Sequence, residues 1–130
     1  MTLATRVPIV VTHDAGSRFS ARVRGHHVES DQPITSGGTD TAPTPVELLG
    51  AALGSCIALY VHKFLAARSL PTDGVRVEVQ ATAGNYAVRV MLAERPGDQH
   101  LMMLGRVVRS CPVHQALEHG AQIVVEIAYP

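Results

Sequence analysis

Between Leu48 and Val61 the chain carries no charged side chain, and the residues just before that run spell the start of a helix. Thr44 stands at the N-cap, Pro45 at the first helical position and Glu47 three residues past the cap, which is a capping box. Nothing breaks the helix before Pro71, so it is expected to run from Pro45 to about Arg68 and to measure roughly 35 Å. A helix that is apolar all round must be covered on all sides, and one sheet covers only one of them. Gly50, Gly54 and Ala58 recur at four-residue spacing and leave a shallow groove for a second helix backbone, which points to a homodimer. The uncharged run is shorter than the roughly 20 residues of a membrane span, so it reads as a buried core helix and no membrane partner is expected.

The rest of the 130 residues bounds the answer further. The length is that of a single domain, 1–130, and 46% apolar with 17% charged residues is enough to drive folding. Eleven basic residues balance eleven acidic ones, and no basic stripe interleaves with aromatics, so nucleic acid is not an expected partner. Met1–Arg6 lacks the pattern of a secretory signal, which makes the cytoplasm the expected compartment. Two cysteines are too few for a disulfide scaffold, so they carry the question of function.

Ahead of the helix, Val7–Thr12 and Phe19–Val28 read as half-buried strands, and Asp31–Pro45 as a loop. Beyond Gly74, Val75, Val77, Val79 and Ala81 alternate with polar residues, and the alternation resumes at Tyr86 after a Gly84-Asn85 turn, predicting a hairpin. Asp98–Arg109 returns to helical spacing, Pro112 opens a short helix closed by Gly120, and Ile123–Tyr129 is expected to be a last strand. Together these elements predict an α+β domain with helices on one face of a mostly antiparallel sheet.

Cys56 lies mid-helix, on a face with Leu49, Ala52, Leu53, Tyr60 and Lys63. Taken alone it reads as a small hydrophobe in the core; a thiolate there would need a cation from elsewhere, and Arg18, Arg22 and Arg24 are on offer. Cys111 precedes Pro112 and so falls at a helix N-cap, where free N–H groups favour an anion; it equally reads as a short residue at a loop-to-helix junction. Cys111-x-x-His114, His119, His62 and the His26-His27 pair are metal-ligand types without metal-site spacing, so no metal is expected. Gly54-Ser55-Cys56 lies inside a helix and does not form a nucleophile elbow, and Gly37-Gly38 lacks the lysine of a phosphate loop.

Several blocks in order resemble the OsmC/Ohr family, the osmotically inducible and organic hydroperoxide resistance proteins: Asp31-Gln32-Pro33, the run from Gly37 to Leu49, and Ala52-Leu53-Gly54-Ser55-Cys56. Cys111-Pro112-Val113-His114-Gln115-Ala116-Leu117 is similar to the family's second cysteine segment. The resemblance implies an OsmC-like fold, an antiparallel sheet packed on a long central helix, in an intertwined homodimer whose active sites draw on both subunits. It implies a thiol peroxidase, a peroxiredoxin-like reductase of organic hydroperoxides, with Cys56 as peroxidatic and Cys111 as resolving cysteine. No cofactor, metal or haem is implied, and the expected reductant is a dihydrolipoyl protein or another dithiol.

One position departs from the family pattern. Peroxidase members carry a glutamate directly after the proline, paired with an arginine beside the thiol, and here that position is Val46. Glu47 stands one residue later, about 100° around the helix, where the capping box already accounts for it. Arg24, with Arg22, is the nearest match for the arginine. Two functions are therefore carried forward: a hydroperoxide reductase using Cys56, Cys111, Arg24 and Glu47, or an OsmC-fold dimer that binds a small hydrophobic or electrophilic ligand at the cysteine pocket without efficient turnover.

Overall fold

Alternation and turns shape the first part of the chain. The structure, a computed structural model, describes residues 7–130, so the signal-free reading of Met1–Arg6 lies outside the described residues. Two compact units divide the chain, one ending at Leu49 and one beginning at Gly50. In the first, β1 (Val10–Ala15), β2 (Arg18–Val23) and β3 (His26–Ser30) form an antiparallel sheet in the order β1-β2-β3. The expected single strand Phe19–Val28 is corrected to two. Val23 pairs with His26 across a two-residue turn at Arg24-Gly25, both with positive φ (49° and 81°), and arginine carries no turn signal that would have betrayed it.

After β3 the chain is gathered around Asp31, which is 1% exposed. Its carboxylate accepts hydrogen bonds from the hydroxyls of Ser17 (2.7 Å), Thr39 (2.6 Å) and Thr41 (2.8 Å) and from the Gln32 N–H (2.7 Å). The Thr39 and Ser17 hydroxyls hold this carboxyl well below the usual carboxylate range, against the opposing effect of burial. At Gly38 a Cβ would lie 1.9 Å from the Gln32 carbonyl oxygen, so only glycine fits. The Asp31 N–H donates to the Pro43 carbonyl, which delivers the chain to Thr44 in position to cap the helix.

That helix, α1, spans Pro45–Ala67. Its capping box forms as the sequence predicts: Glu47 Oε1 accepts from the Thr44 N–H at 2.9 Å and Thr44 Oγ1 from the Glu47 N–H at 3.2 Å. In the second unit, Leu53, Ile57, Val61, Phe64 and Leu65 line one buried stripe of α1. Against it stand Val77 and Val79 of β4 (Arg76–Thr82) and Val90 of β5 (Asn85–Met91).

The small-residue groove serves this contact, which corrects the expectation that it receives a partner helix. A Cβ on Gly50 would come within 3.1 Å of the Ala81 Cβ, and one on Gly54 within 3.1 Å of the Val79 Cγ2, so β4 of the same chain fills the groove. Leu59, 49% exposed, lies on a face of α1 that this packing leaves open. By length and composition alone α1 would suffice to cross a membrane, but its buried stripe packs as the core helix of an α+β unit.

The hairpin turn is Ala83-Gly84 rather than Gly84-Asn85, since Asn85 pairs with Thr82 and Gly84 takes the positive φ of 94°. Past β5, α2 (Asp98–Arg109) buries Leu104, and α3 (Pro112–His119) follows almost at once. The expected strand Ile123–Tyr129 does not form: the segment has no ladder partner among the described residues, and Ile123 and Ile127 are 79% and 86% exposed. Alternation marks two faces, but a strand also needs a neighbour for its backbone N–H and C=O groups. The α+β class with antiparallel sheets and a long helix stands, with two sheets of three and two strands among the described residues in place of one.

Candidate active site

Two free cysteines, 55 residues apart in the chain, are neighbours in the second unit. Cys56 is half-buried on α1, between Leu53 and Ile57 of the buried stripe, and packs against the core cluster to which Cys111 belongs. Cys111 is fully buried at the N-cap of α3, with extended backbone, and its Sγ accepts a hydrogen bond from the His114 N–H at 3.2 Å. Cys56 is the neighbouring thiol that its sulfur feels. Burial and the Cys56 neighbour push the Cys111 thiol up from its ordinary value, while the N–H groups of His114 and Val113 pull the other way.

The rest of this neighbourhood escaped the sequence reading. A cavity of about 490 Å³ opens in the second unit, walled by Leu53 and Ile57 of α1, Tyr86 and Val88 of β5 and Leu117 of α3; neither Cys56 nor Cys111 lines it. Arg109, His114 and Glu118 add polar groups to its lining. Its wall comes from the sequence neighbours of both cysteines, so an apolar molecule with one polar end fits the chemistry of the space. The Cys111-x-x-His114 spacing, weighed above only as a metal signature, is the spacing of an N-cap side chain and its N3 amide. That relation was available from the sequence once Pro112 was taken as the first helical residue.

Arg24 and Glu47 belong to the first unit. Arg24 occupies the exposed tip of the β2–β3 hairpin, and Arg22 lies on β2 opposite His27 and Val10. Glu47 spends its Oε1 on the capping box. Among the described residues no three His, Cys, Asp or Glu side chains converge to hold a metal ion. His114 illustrates why: its Nδ1 faces the Arg109 carbonyl at 3.1 Å and its Nε2 faces Glu118 at 3.2 Å, so neither nitrogen is turned to the sulfur.

Comparison with known proteins agrees with this architecture. The family model described as OsmC-like protein matches residues 38–126. No curated protein matches the chain. Among solved structures, a protein from Psychrobacter arcticus 273-4 named for osmotic stress induction and detoxification response superposes with a TM-score of 0.79 at 18% identity, covering 89% of this chain and 91% of that one. The organic hydroperoxide resistance protein OsmC of Legionella pneumophila, described as a predicted redox protein and regulator of sulfide bond formation, gives 0.60 at 16% identity, with 90% and 91% covered. A protein of Vibrio cholerae O1 biovar eltor str. N16961, named for organic hydroperoxide resistance and holding captopril in one of its active sites, gives 0.53 at 17%, with 90% and 88% covered. At these identities the neighbours speak for the fold, and the family match over most of the sequence carries the assignment: the chain belongs to the OsmC/Ohr family.

Proposed function

We propose that the protein is a cysteine-based thiol peroxidase acting on organic hydroperoxides. The observation that carries this reading is that two free thiols, Cys56 and Cys111, are neighbours, with a cavity lined by residues adjoining both in sequence. Cys56 is the more accessible of the two and meets the peroxide first; Cys111, buried and held towards the neutral thiol, is suited to the second step.

In the first step the Cys56 sulfur attacks one oxygen of the O–O bond, the bond breaks, and the alkoxide takes up a proton to leave as alcohol; the sulfur is oxidised to sulfenic acid. In the second step Cys111 attacks the sulfur of the sulfenic acid. Its thiol proton and the departing hydroxide leave as water, and a Cys56–Cys111 disulfide remains. A dithiol, such as a dihydrolipoyl protein, then returns two electrons and two protons. The catalyst in this reading is one OsmC-like domain of residues 1–130, working as a homodimer in the cytoplasm, with Arg24 as the candidate cation for the thiolate.

The test is consumption of cumene hydroperoxide against hydrogen peroxide with dihydrolipoamide or thioredoxin as reductant, followed by peptide mapping without reductant. Preference for the organic peroxide and a Cys56–Cys111 linked peptide pair are expected. Two free thiols after peroxide treatment would reject the cycle.

A second reading has its own observation: Glu47 is engaged in the capping box and Val46 holds the family's glutamate position, which favours a dimer that binds a small hydrophobic or electrophilic ligand at the cavity without efficient turnover. Saturable binding of such a ligand, with no multiple-turnover peroxide consumption under any dithiol, would select it.

A further inference from the structure

The ring of His114 is braced on both sides of Cys111. Its Nδ1 meets the carbonyl of Arg109, the last residue of α2, and its Nε2 meets Glu118 one turn further along α3. Both partners are acceptors, a backbone carbonyl and a side-chain carboxylate. Only Ser110 separates α2 from Cys111, and the Gln115 side-chain amide also donates to the Arg109 carbonyl. A carbonyl at a helix C-terminus has no partner within its helix; here two side chains of α3 supply one, and the α2–α3 junction is tied across the cysteine.

We infer that His114 is a positioning residue for the second half of the redox cycle: by joining the Arg109 carbonyl to Glu118 it holds Cys111 against Cys56, so that a sulfenic acid on Cys56 is closed to a disulfide before a second peroxide reaches it. This inference rests on the two-cysteine reading. Neither ring nitrogen is turned to a sulfur, and the His114 backbone N–H, which does bond Cys111, is kept by any substitution. The side chain therefore acts through the placement of the junction. Misplacing a reacting group by about an ångström costs on the order of a hundredfold in rate, so loss of the brace has room to show.

The test follows the two steps separately on the full chain after one equivalent of cumene hydroperoxide. Sulfenic acid on Cys56 is trapped with a dimedone-type reagent, and the disulfide is quantified by non-reducing peptide mapping over time. His114→Phe removes both ring contacts and is expected to close the disulfide about ten- to a hundredfold more slowly, counted from the sulfenic acid actually trapped on Cys56, with more over-oxidised Cys56. His114→Asn, whose side-chain amide stands near the place of Nδ1, is expected to recover most of that loss. Glu118→Ala, at an exposed side chain where folding is not at stake, is expected to slow closure about threefold. Closure at the wild-type rate in His114→Phe, equal slowing in His114→Phe and His114→Asn, or an unchanged rate in Glu118→Ala would each overturn the brace. If wild type itself never forms the disulfide, the two-cysteine reading falls and takes this inference with it; normal disulfide in wild type with normal closure in the variants overturns the inference alone.

Discussion

Cys56 and Cys111 reach the same place from opposite kinds of backbone. Cys56 sits within a 23-residue helix whose neighbours on either side are already hydrogen-bonded, so its amide offers nothing to the sulfur and its position is set by the packing of Leu53, Ile57 and Val61. Cys111 sits where one helix has ended and another has not begun, and there the free N–H groups of the first turn turn to its sulfur. The mid-helix sulfur is the more exposed and the N-cap sulfur the more buried. For a two-step thiol cycle that difference is a division of labour: the sulfur that must meet a substrate is fixed and reachable, and the sulfur that must meet only its partner is enclosed.

The largest effect that could break this comparison is at Cys56. Cys56→Ser is expected to lower hydroperoxide consumption at least about a thousandfold while keeping the fold, because the hydroxyl is a far weaker nucleophile at neutral pH. Steady-state peroxide consumption checks this, and a variant within tenfold of wild type would move the first step elsewhere. Cys111→Ser is expected to keep the first turnover and lose most of the later ones. Intact-mass measurement after one and then ten equivalents of peroxide should show sulfenic and then over-oxidised Cys56.

A pH series sharpens the contrast between the sulfurs. Since burial and Cys56 hold Cys111 above the ordinary thiol value, its thiolate is scarce at neutral pH, and the closure rate is expected to rise about tenfold per pH unit and to keep rising beyond the ordinary thiol range. The sign for stability is opposite: raising this group's folded-state value favours the protonated folded form, so the contribution is present at neutral pH and lost as pH climbs through the shifted value. Stopped-flow closure rates from pH 6 to 9.5 test it, and a plateau near neutrality would mean that Cys111 is not the attacking thiol.

Two structural substitutions complete the series. Gly54→Leu drives a side chain into Val79 of β4 and is expected to cost about 1–3 kcal/mol in denaturant unfolding. An unchanged midpoint would place the groove against something other than β4. Thr44→Ala removes one half of the capping box and is expected to cost about 1 kcal/mol, measured by the same unfolding curve, without changing the rate of sulfenic acid formation.

Much of this molecule was legible because local chemistry is repeated locally. The capping box, the long uncharged helix, the β4–β5 alternation and the Cys111-Pro112 helix start each use contacts within a few residues, and each formed where the residues said it would. The two segments Val77–Ala81 and Ile123–Tyr129 show where that stops. Both alternate, but Tyr86 to Val90 returns directly to pair with the first, and no strand among the described residues comes back to the second. A hairpin supplies its own partner through a two-residue turn; a lone alternating segment must find one at a distance.

The same boundary runs through the site. Sequence by itself determined the α+β class, the start and length of α1, the N-cap placement of Cys111 and the family, since each depends on residue type and short spacing. Only the tertiary structure decided that the glycine groove receives β4, that Cys56 and Cys111 become neighbours, and that His114 ties Arg109 to Glu118 around the second thiol. Those contacts depend on how surfaces from distant elements fit. Period and propensity tell which face of an element is buried, but the shape of the facing element decides what that face meets.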